Sequence, residues 1–276
     1  MKVHIEKNTV QETLVIPLYG RKMCSELYPN LYRDGTAVRL MERVDYDFSR
    51  LAAGAKSTMQ RFGFLEVAMR QSDLAWEVRD YLRTHPRAAV VNLGCGLDGT
   101  GRACDNGTCR IYNIDFPDVI AVRNELLPAG EREENIACDL TDHAWMEKID
   151  ASGGAVFFAA GVFYYFLTPQ MRALVQTMAA AFPGGKLVFD AACRSAVKLM
   201  LKTWIRSAEI QDVGAYFAVV DAVREITPWA ENLRVTSRGY LGYQSLRDPS
   251  VSGFFRLLAK IGDGAMKMQI VRIEFK

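Results

Sequence analysis

The chain has 276 residues, half of them apolar and about a quarter charged, enough for one large α/β domain or two small ones with a real core. Its 34 basic and 32 acidic residues leave a net charge of +2, so composition asks for no nucleic acid and no anionic membrane. Residues 1–20 lack the apolar core of a signal peptide, and the most apolar stretch, residues 155–167, is too short to span a bilayer; the reading is cytoplasmic.

In chain order, residues 1–87 read as a mostly helical cap or lid, with a long amphipathic candidate over 61–85. From 88 onward short apolar runs alternate with helical segments. Strands are expected over 88–94, 109–116, 135–140, 154–161 and 186–192. A helix over 168–182 is signalled by Thr168 as N-cap and Pro169 at its first position. The fifth strand is entered through the "PGG" turn at 183–185. A helical insertion is expected near 194–230. Residues 232–243 and 265–276 are again strand-like. The second alternates: Met266, Met268, Ile270, Arg272 and Glu274 on one face, Lys267, Gln269, Val271, Ile273 and Phe275 on the other. These two should pair antiparallel at one edge. The expected fold is α/β: a Rossmann-like, seven-stranded, mostly parallel sheet with right-handed crossovers and an antiparallel last strand in a core spanning 88–276.

Six cysteines (Cys24, Cys95, Cys104, Cys109, Cys138 and Cys193) form no C-x-x-C pair. Reduced thiols are the reading, with no metal site.

In an open parallel sheet a ligand sits beyond the carboxyl ends of the strands. After the first strand come Gly94, Cys95 and Gly96 in G-C-G-L-D-G, where the glycines' missing Cβ atoms let backbone N–H groups approach a ligand. After the second come Asp115 and Phe116; a carboxylate here accepts from both hydroxyls of a ribose. After the third come Asp139 and Leu140, an acceptor for an adenine amino group and a side chain to pack on its ring. After the fourth, "AAGVFYYF" supplies aromatics to wall a reaction site. Each feature also has a plain structural explanation: a tight turn, a cap, or core. Their succession at neighbouring strand ends points to a nucleotide or nucleoside. The glycine pattern alone also fits a nicotinamide-dependent oxidoreductase, against which "CDL" and the C-terminal edge strand argue.

The stretches "ETLVIPLYGR", "RVDYDF", "LGCGLDGTGR", "IDFPDVIAVRNELL", "IACDLTDHAW" and "FPGGKLVFD" resemble the leucine carboxyl methyltransferase family. They are most similar to its bacterial branch of tetracenomycin-type polyketide O-methyltransferases. The resemblance runs from about residue 11 to 193. It implies the class I methyltransferase fold and S-adenosylmethionine as methyl donor. It implies that Gly94 and Gly96 lie against the methionine part of the donor, Asp115 holds the ribose, and Asp139 and Leu140 hold the adenine. It also implies that Arg70 grips the donor carboxylate, with Arg21 a second basic group. The chain departs from the family in three places. "GTGR" replaces Thr-Arg after "GLD". Ala160 stands where the family favours a glutamate that helps position the methionine end. Asn92 replaces an acidic residue common in such glycine motifs.

A carboxylate acceptor needs no base, whereas an ordinary phenol does. None of the three histidines is well placed to serve as one. His4 lies near the terminus, His85 precedes the first strand, and His143 follows "CDLTD". The acceptor is therefore expected to be a small-molecule carboxylate or acidic hydroxyl, with Tyr19, Tyr164 or Tyr165 to orient it or merely to wall the site. Protein C-terminal carboxyl methylation and a non-catalytic nucleoside-binding role remain alternatives. Arg194, Lys198, Lys202 and Arg206 form a basic stripe at i, i+4 spacing, opposite Val197, Leu201, Trp204 and Ile205. It is either a solvated face or an attraction for an acidic acceptor or an acyl carrier protein.

Overall fold

The computed structural model describes residues 2–5, 12–55, 57–202, 214, 216–240 and 248–276. The chain begins with strand β1 (Val3–His4) and helices α1 (Glu12–Leu27) and α2 (Gly35–Arg43). Strand β2 (Val44–Asp45) and helices α3 (Ser49–Gly54) and α4 (Thr58–Thr84) follow. β1 and β2 pair in parallel as a small separate ribbon that apolar periodicity does not announce. Asp34 caps α2 and Ser57 caps α4, each side chain accepting a backbone N–H in the first turn.

The second part alternates as expected: β3 (Ala89–Leu93), α5 (Thr100–Ala103), β4 (Arg110–Asp115), α6 (Pro117–Leu126), β5 (Glu133–Ala137), β6 (Ala155–Ala159), α7 (Thr168–Ala181) and β7 (Lys186–Ala191). Then come α8 (Arg194–Met200), α9 (Ala222–Ile226), β8 (Leu233–Gly239), α10 (Gly253–Gly264) and β9 (Gln269–Phe275). Residues 203–213 of the expected insertion, with Trp204, Ile205 and Arg206, lie outside the described residues, as do 241–243 of the strand expected over 232–243.

The sheet has seven strands in the order β5-β4-β3-β6-β7-β9-β8, and β9 runs antiparallel to both β7 and β8. The rest is parallel. The chain leaves β3 first toward β4 and β5, then returns to the other side for β6 and β7. That reversal opens a crevice at the carboxyl ends of β3 and β6.

Both faces of the sheet are buried. One is covered by a cluster that includes Leu18, Phe64, Leu65 and Met69 with Val90, Val156 and Val188; the other by one that includes Trp145, Met171 and Leu174 with Val91, Phe157 and Phe189. The alternation read along the last strand holds. Ile270 joins the first cluster while Val271, Ile273 and Phe275 join the second. Residues before position 88 and strand residues after it thus share one continuous core. All six cysteines are free thiols.

Two local expectations are corrected. The cap of α7 is Leu167, whose N–H donates to Gln170 Oε1 at 2.8 Å; Thr168 is already helical. The third strand ends at Ala137, not at residue 140, because Asp139 turns the chain: its Oδ1 accepts from both the N–H and the hydroxyl of Thr141 at 2.8 Å.

Candidate active site

The loop after β3 lies at the crevice. Gly94 and Gly96 have φ of +65° and +45°, the left-handed region that glycine adopts without a Cβ penalty. A Cβ on Gly94 would stand 2.5 Å from Val162 Cγ2, and one on Gly96 2.9 Å from Leu14 Cδ2. The loop is thus pressed between the β6 loop and α1. The buried Cys95 between them donates its N–H to Ile114 O at 3.0 Å, tying loop to β4.

Asp115, at the end of β4, accepts the Gly96 N–H on Oδ2 and the Phe116 N–H on Oδ1, both at 2.8 Å. Burial raises its pKa, and those two backbone donors oppose the rise. Each oxygen keeps lone-pair capacity for a further donor. Phe116 is exposed beside it. Leu140 is buried, while Asp139 is exposed and commits Oδ1 to its own turn.

Several buried groups hold this loop, and most of them escape motif reading. Arg123 of α6 is 1% exposed, and its Nη1 donates to Gly96 O and Asp98 O at 2.8 Å. Asp98 accepts from Gln71, Asn92 and Thr100. Asn92 therefore serves as donor to a carboxylate six residues on, which accounts for the neutral residue at that position. Arg21 is buried; its Nη2 donates to Leu97 O at 2.9 Å and its Nε lies 3.0 Å from Asp34 Oδ2. Its guanidinium braces the loop from α1. Arg123 belongs to no motif, and nothing in the sequence of α6 around it marks it as buried.

A cavity of about 440 Å³ opens beyond the carboxyl ends of β6 and β7. Its walls come from α1, α4, the β6 and β7 loops, α8 and α10. Of the residues expected in the site, Arg70, Ala160, Tyr164 and Tyr165 line it; Gly94, Asp115 and Asp139 stand to its side at the β3–β5 ends. Tyr19 is placed elsewhere, buried between Phe48 and Phe64 at centroid distances of 5.9 and 5.8 Å. Val197, Leu199 and Met200 of α8 face the cavity, whereas Arg194, Lys198 and Lys202 are exposed.

The polar centre of the cavity is an ion pair. Arg70 Nη1 meets Asp190 Oδ2 at 3.0 Å, and Asp190 Oδ1 accepts the Gly161 N–H at 2.6 Å. Gly161 has φ of +74°, and a Cβ there would strike the Arg70 guanidinium at 2.9 Å. Arg70 Nε is buried with no partner. Burial raises the pKa of Tyr164, Tyr165 and Tyr240, so these phenols are donors, not bases. Neither Asp190 nor the cavity-lining Glu66 was singled out from sequence.

Sheet order, positive-φ glycine loop and strand-end carboxylate define a Rossmann-like methyltransferase. The chain belongs to the leucine carboxyl methyltransferase family, whose sequence profile matches residues 19–179. It is 30% identical over 183 residues to the tetracenomycin polyketide synthesis O-methyltransferase TcmP of Streptomyces glaucescens, a match covering 66% of each chain. In fold it is similar to a DUF574-family protein of Streptomyces avermitilis (TM-score 0.60, 11% identity, 94% of this chain and 97% of that one). It is also similar to a geranyl diphosphate methyltransferase solved with S-adenosylmethionine (TM-score 0.51, 14% identity, 83% and 95%). Its class is that of the S-adenosylmethionine-dependent methyltransferases.

The residues present fit that donor. The loop leaves no room for a Cβ at either glycine, Asp115 has unused acceptor capacity, and Arg70 carries a buried N–H without a partner. Among the described residues no helix is long and apolar enough to cross a membrane, and no cluster of metal-binding side chains occurs.

Proposed function

We propose that the chain methylates an oxygen of a small, largely apolar acceptor, a carboxylate or acidic hydroxyl of polyketide-like type. The observation that carries this reading is the cavity: about 440 Å³, mostly apolar, and lined by Gly161, whose chain neighbour Val162 packs against Gly94 of the glycine loop. That volume is in the range of small-molecule sites. Bound S-adenosylmethionine supplies an electrophilic methyl group on a positively charged sulfur. Gly94 and Gly96 let the backbone approach the donor, and Asp115 accepts from its ribose. Leu140 packs on the base, with Asp139 at its edge. Arg70 faces the donor's carboxylate, sharing its charge with Asp190. Tyr164 and Tyr165 wall the acceptor and exclude water. The exposed basic face of α8 suits an acidic acceptor or an acyl carrier protein arriving at the mouth.

The test has two parts. Calorimetric titration with S-adenosylhomocysteine and with NAD⁺ should show binding of the first only. A panel of aromatic hydroxy acids and phenols, incubated with donor, should then yield products heavier by one methylene. Binding of NAD⁺ instead, or S-adenosylhomocysteine binding with methylation confined to peptide C-termini, overturns the reading.

A further inference from the structure

We propose that Glu66 binds the methyl donor: its carboxylate takes the α-ammonium of the methionine end, beside the donor carboxylate that faces Arg70. This rests on the function proposed above. Glu66 sits on α4, one turn before Arg70, and lines the same cavity. Residues at i and i+4 lie side by side on one helix face. The two charges of an α-amino acid leave a single carbon, so the groups that receive them must also be neighbours. A carboxyl and a guanidinium one turn apart on α4 meet that demand. Arg70 still has a buried Nε without a partner to offer the carboxylate.

The other carboxylate of the cavity is already engaged. Asp190 Oδ2 meets Arg70 at 3.0 Å, its Oδ1 accepts the Gly161 N–H at 2.6 Å, and Tyr164 bonds to it as well. Glu66 has no hydrogen bond and no ion pair among the described residues. An ammonium has three N–H donors and nothing to accept with, so a carboxylate with both oxygens free is its match. The charged and titratable groups around Glu66 are Arg70 on α4, Asp190 at the end of β7, Tyr164 and Tyr165 after β6, and Tyr240 after β8. Asp263 on α10 acts on Tyr240. The walls from α1 and α8 (Thr13, Ile16 and Pro17; Val197, Leu199 and Met200) bring no charge. With Glu66 ionised, Arg70, Asp190 and Glu66 sum to one negative charge. The donor's ammonium, sulfonium and carboxylate sum to one positive charge, so the bound pair is neutral. Burial lifts the Glu66 pKa from 4.5 to about 7; Arg70 pulls it down and Asp190 pushes it up. Before the donor arrives the carboxyl is thus partly protonated at neutral pH, and an ammonium beside it drives the proton off.

The experiment is calorimetric titration of wild type and Glu66→Gln with three ligands. They are S-adenosylhomocysteine, its deaminated analogue with hydrogen in place of the amino group, and methylthioadenosine, which lacks both charges. At pH 8 wild type should bind S-adenosylhomocysteine about tenfold or more tighter than the deaminated analogue, and Glu66→Gln should lose most of that preference. Methylthioadenosine should bind both proteins alike, which shows that the variant keeps its fold and its nucleoside site. In wild type the affinity for S-adenosylhomocysteine should fall about tenfold from pH 8 to pH 6, with about half a proton released on binding at pH 7. Buffers of different ionisation heat measure that proton. Neither effect should appear with the deaminated analogue or in Glu66→Gln. A preference for the amino group that survives in Glu66→Gln overturns the proposal. So does a wild-type affinity independent of pH, or an equal loss of methylthioadenosine binding in the variant, which would make the role of Glu66 structural. Failure of wild type itself to bind S-adenosylhomocysteine is a different result, and it removes the methyltransferase reading first.

Discussion

Gly94→Ala isolates the geometry on which the donor site is built. At φ of +65° an L-residue costs roughly 1–2 kcal/mol. The new Cβ also meets Val162 at 2.5 Å from Cγ2, 2.7 Å from Cγ1 and 3.2 Å from Cβ, so a rotamer change cannot clear it. Overpacking of this kind costs a further 1–3 kcal/mol or so. The expected loss is therefore about 2–5 kcal/mol. Val162→Ala alone removes two half-buried methyl groups and should cost about 1 kcal/mol. In that background Gly94→Ala should cost only the conformational part, roughly 1–2 kcal/mol, giving a favourable coupling of about 1–3 kcal/mol. Urea unfolding of the four proteins measures it, read from midpoints at constant slope. An equal cost of Gly94→Ala in both backgrounds would refute the packing argument. A cost under about 0.5 kcal/mol would refute the conformational one too.

The remaining predictions concern the charges around that loop. Arg123→Met should destabilise by about 3–5 kcal/mol in the same assay, since it strips two carbonyls and Asn135 of a buried cationic donor. It should also raise the Asp115 pKa further, because Arg123 is one of the groups lowering it. Asp115→Asn can accept only one of the two backbone N–H groups that the carboxylate takes, so it should destabilise by about 1–3 kcal/mol and should weaken S-adenosylhomocysteine at least tenfold by calorimetry. Glu66 binds its proton more tightly folded than unfolded, so its contribution to stability is present at low pH and is lost as pH rises from about 4.5 to about 7. Subtracting the Glu66→Gln stability profile from that of wild type should show this fall and no change above pH 8. A difference that rises with pH would reverse the assignment.

Much of this was legible because it depends on local, repeating physics. Buried parallel strands are apolar runs of fixed length, so β3, β4, β6 and β7 were placed within a residue or two. The alternation along β9 needs only the two-residue period of a strand packed on both faces. The positive-φ glycines and the Asp115 carboxylate fall at strand ends, where topology sends ligands. What escaped depends on distant contacts. Arg123 looks like a surface arginine until its carbonyl partner, 27 residues away, comes beneath it, and Arg21, expected from the family resemblance as a second basic group at the donor, donates to a carbonyl of the glycine loop 76 residues away. Tyr19 stood in a family motif and went to the core, because an aromatic reads alike in a wall and in a cluster. Asp190 meets Arg70 only when β7 lies beside α4, and the same packing closes the cavity that Glu66 lines.

The two halves of the site are built on opposite terms. In the loop proposed to hold the donor, several polar groups are already paired: three carbonyls with two arginines, Asp98 with three donors, and the Gly96 N–H with Asp115. A loop held in this way would lose little entropy on binding a donor, so preorganisation would favour affinity. In the cavity proposed to take the acceptor, the walls include Met59, Met200, Met266 and Met268 with three tyrosines, flexible thioethers and broad rings that fit many shapes. Glu66 alone, of the carboxylates lining that half among the described residues, lacks a partner. Ala160, expected at the donor's methionine end where the family resemblance implies a glutamate, lines this cavity together with Arg70. The expected consequence is that Ala160→Glu narrows the range of acceptors methylated while changing S-adenosylhomocysteine affinity through Arg70. Competition between the introduced carboxylate and Asp190 for that guanidinium sets the sign. A gain in affinity means the new side chain draws the arginine toward the donor; a loss means it blocks the donor's own carboxylate. An unchanged affinity with an unchanged acceptor range would mean that position 160 touches neither half, contrary to its place in the cavity wall.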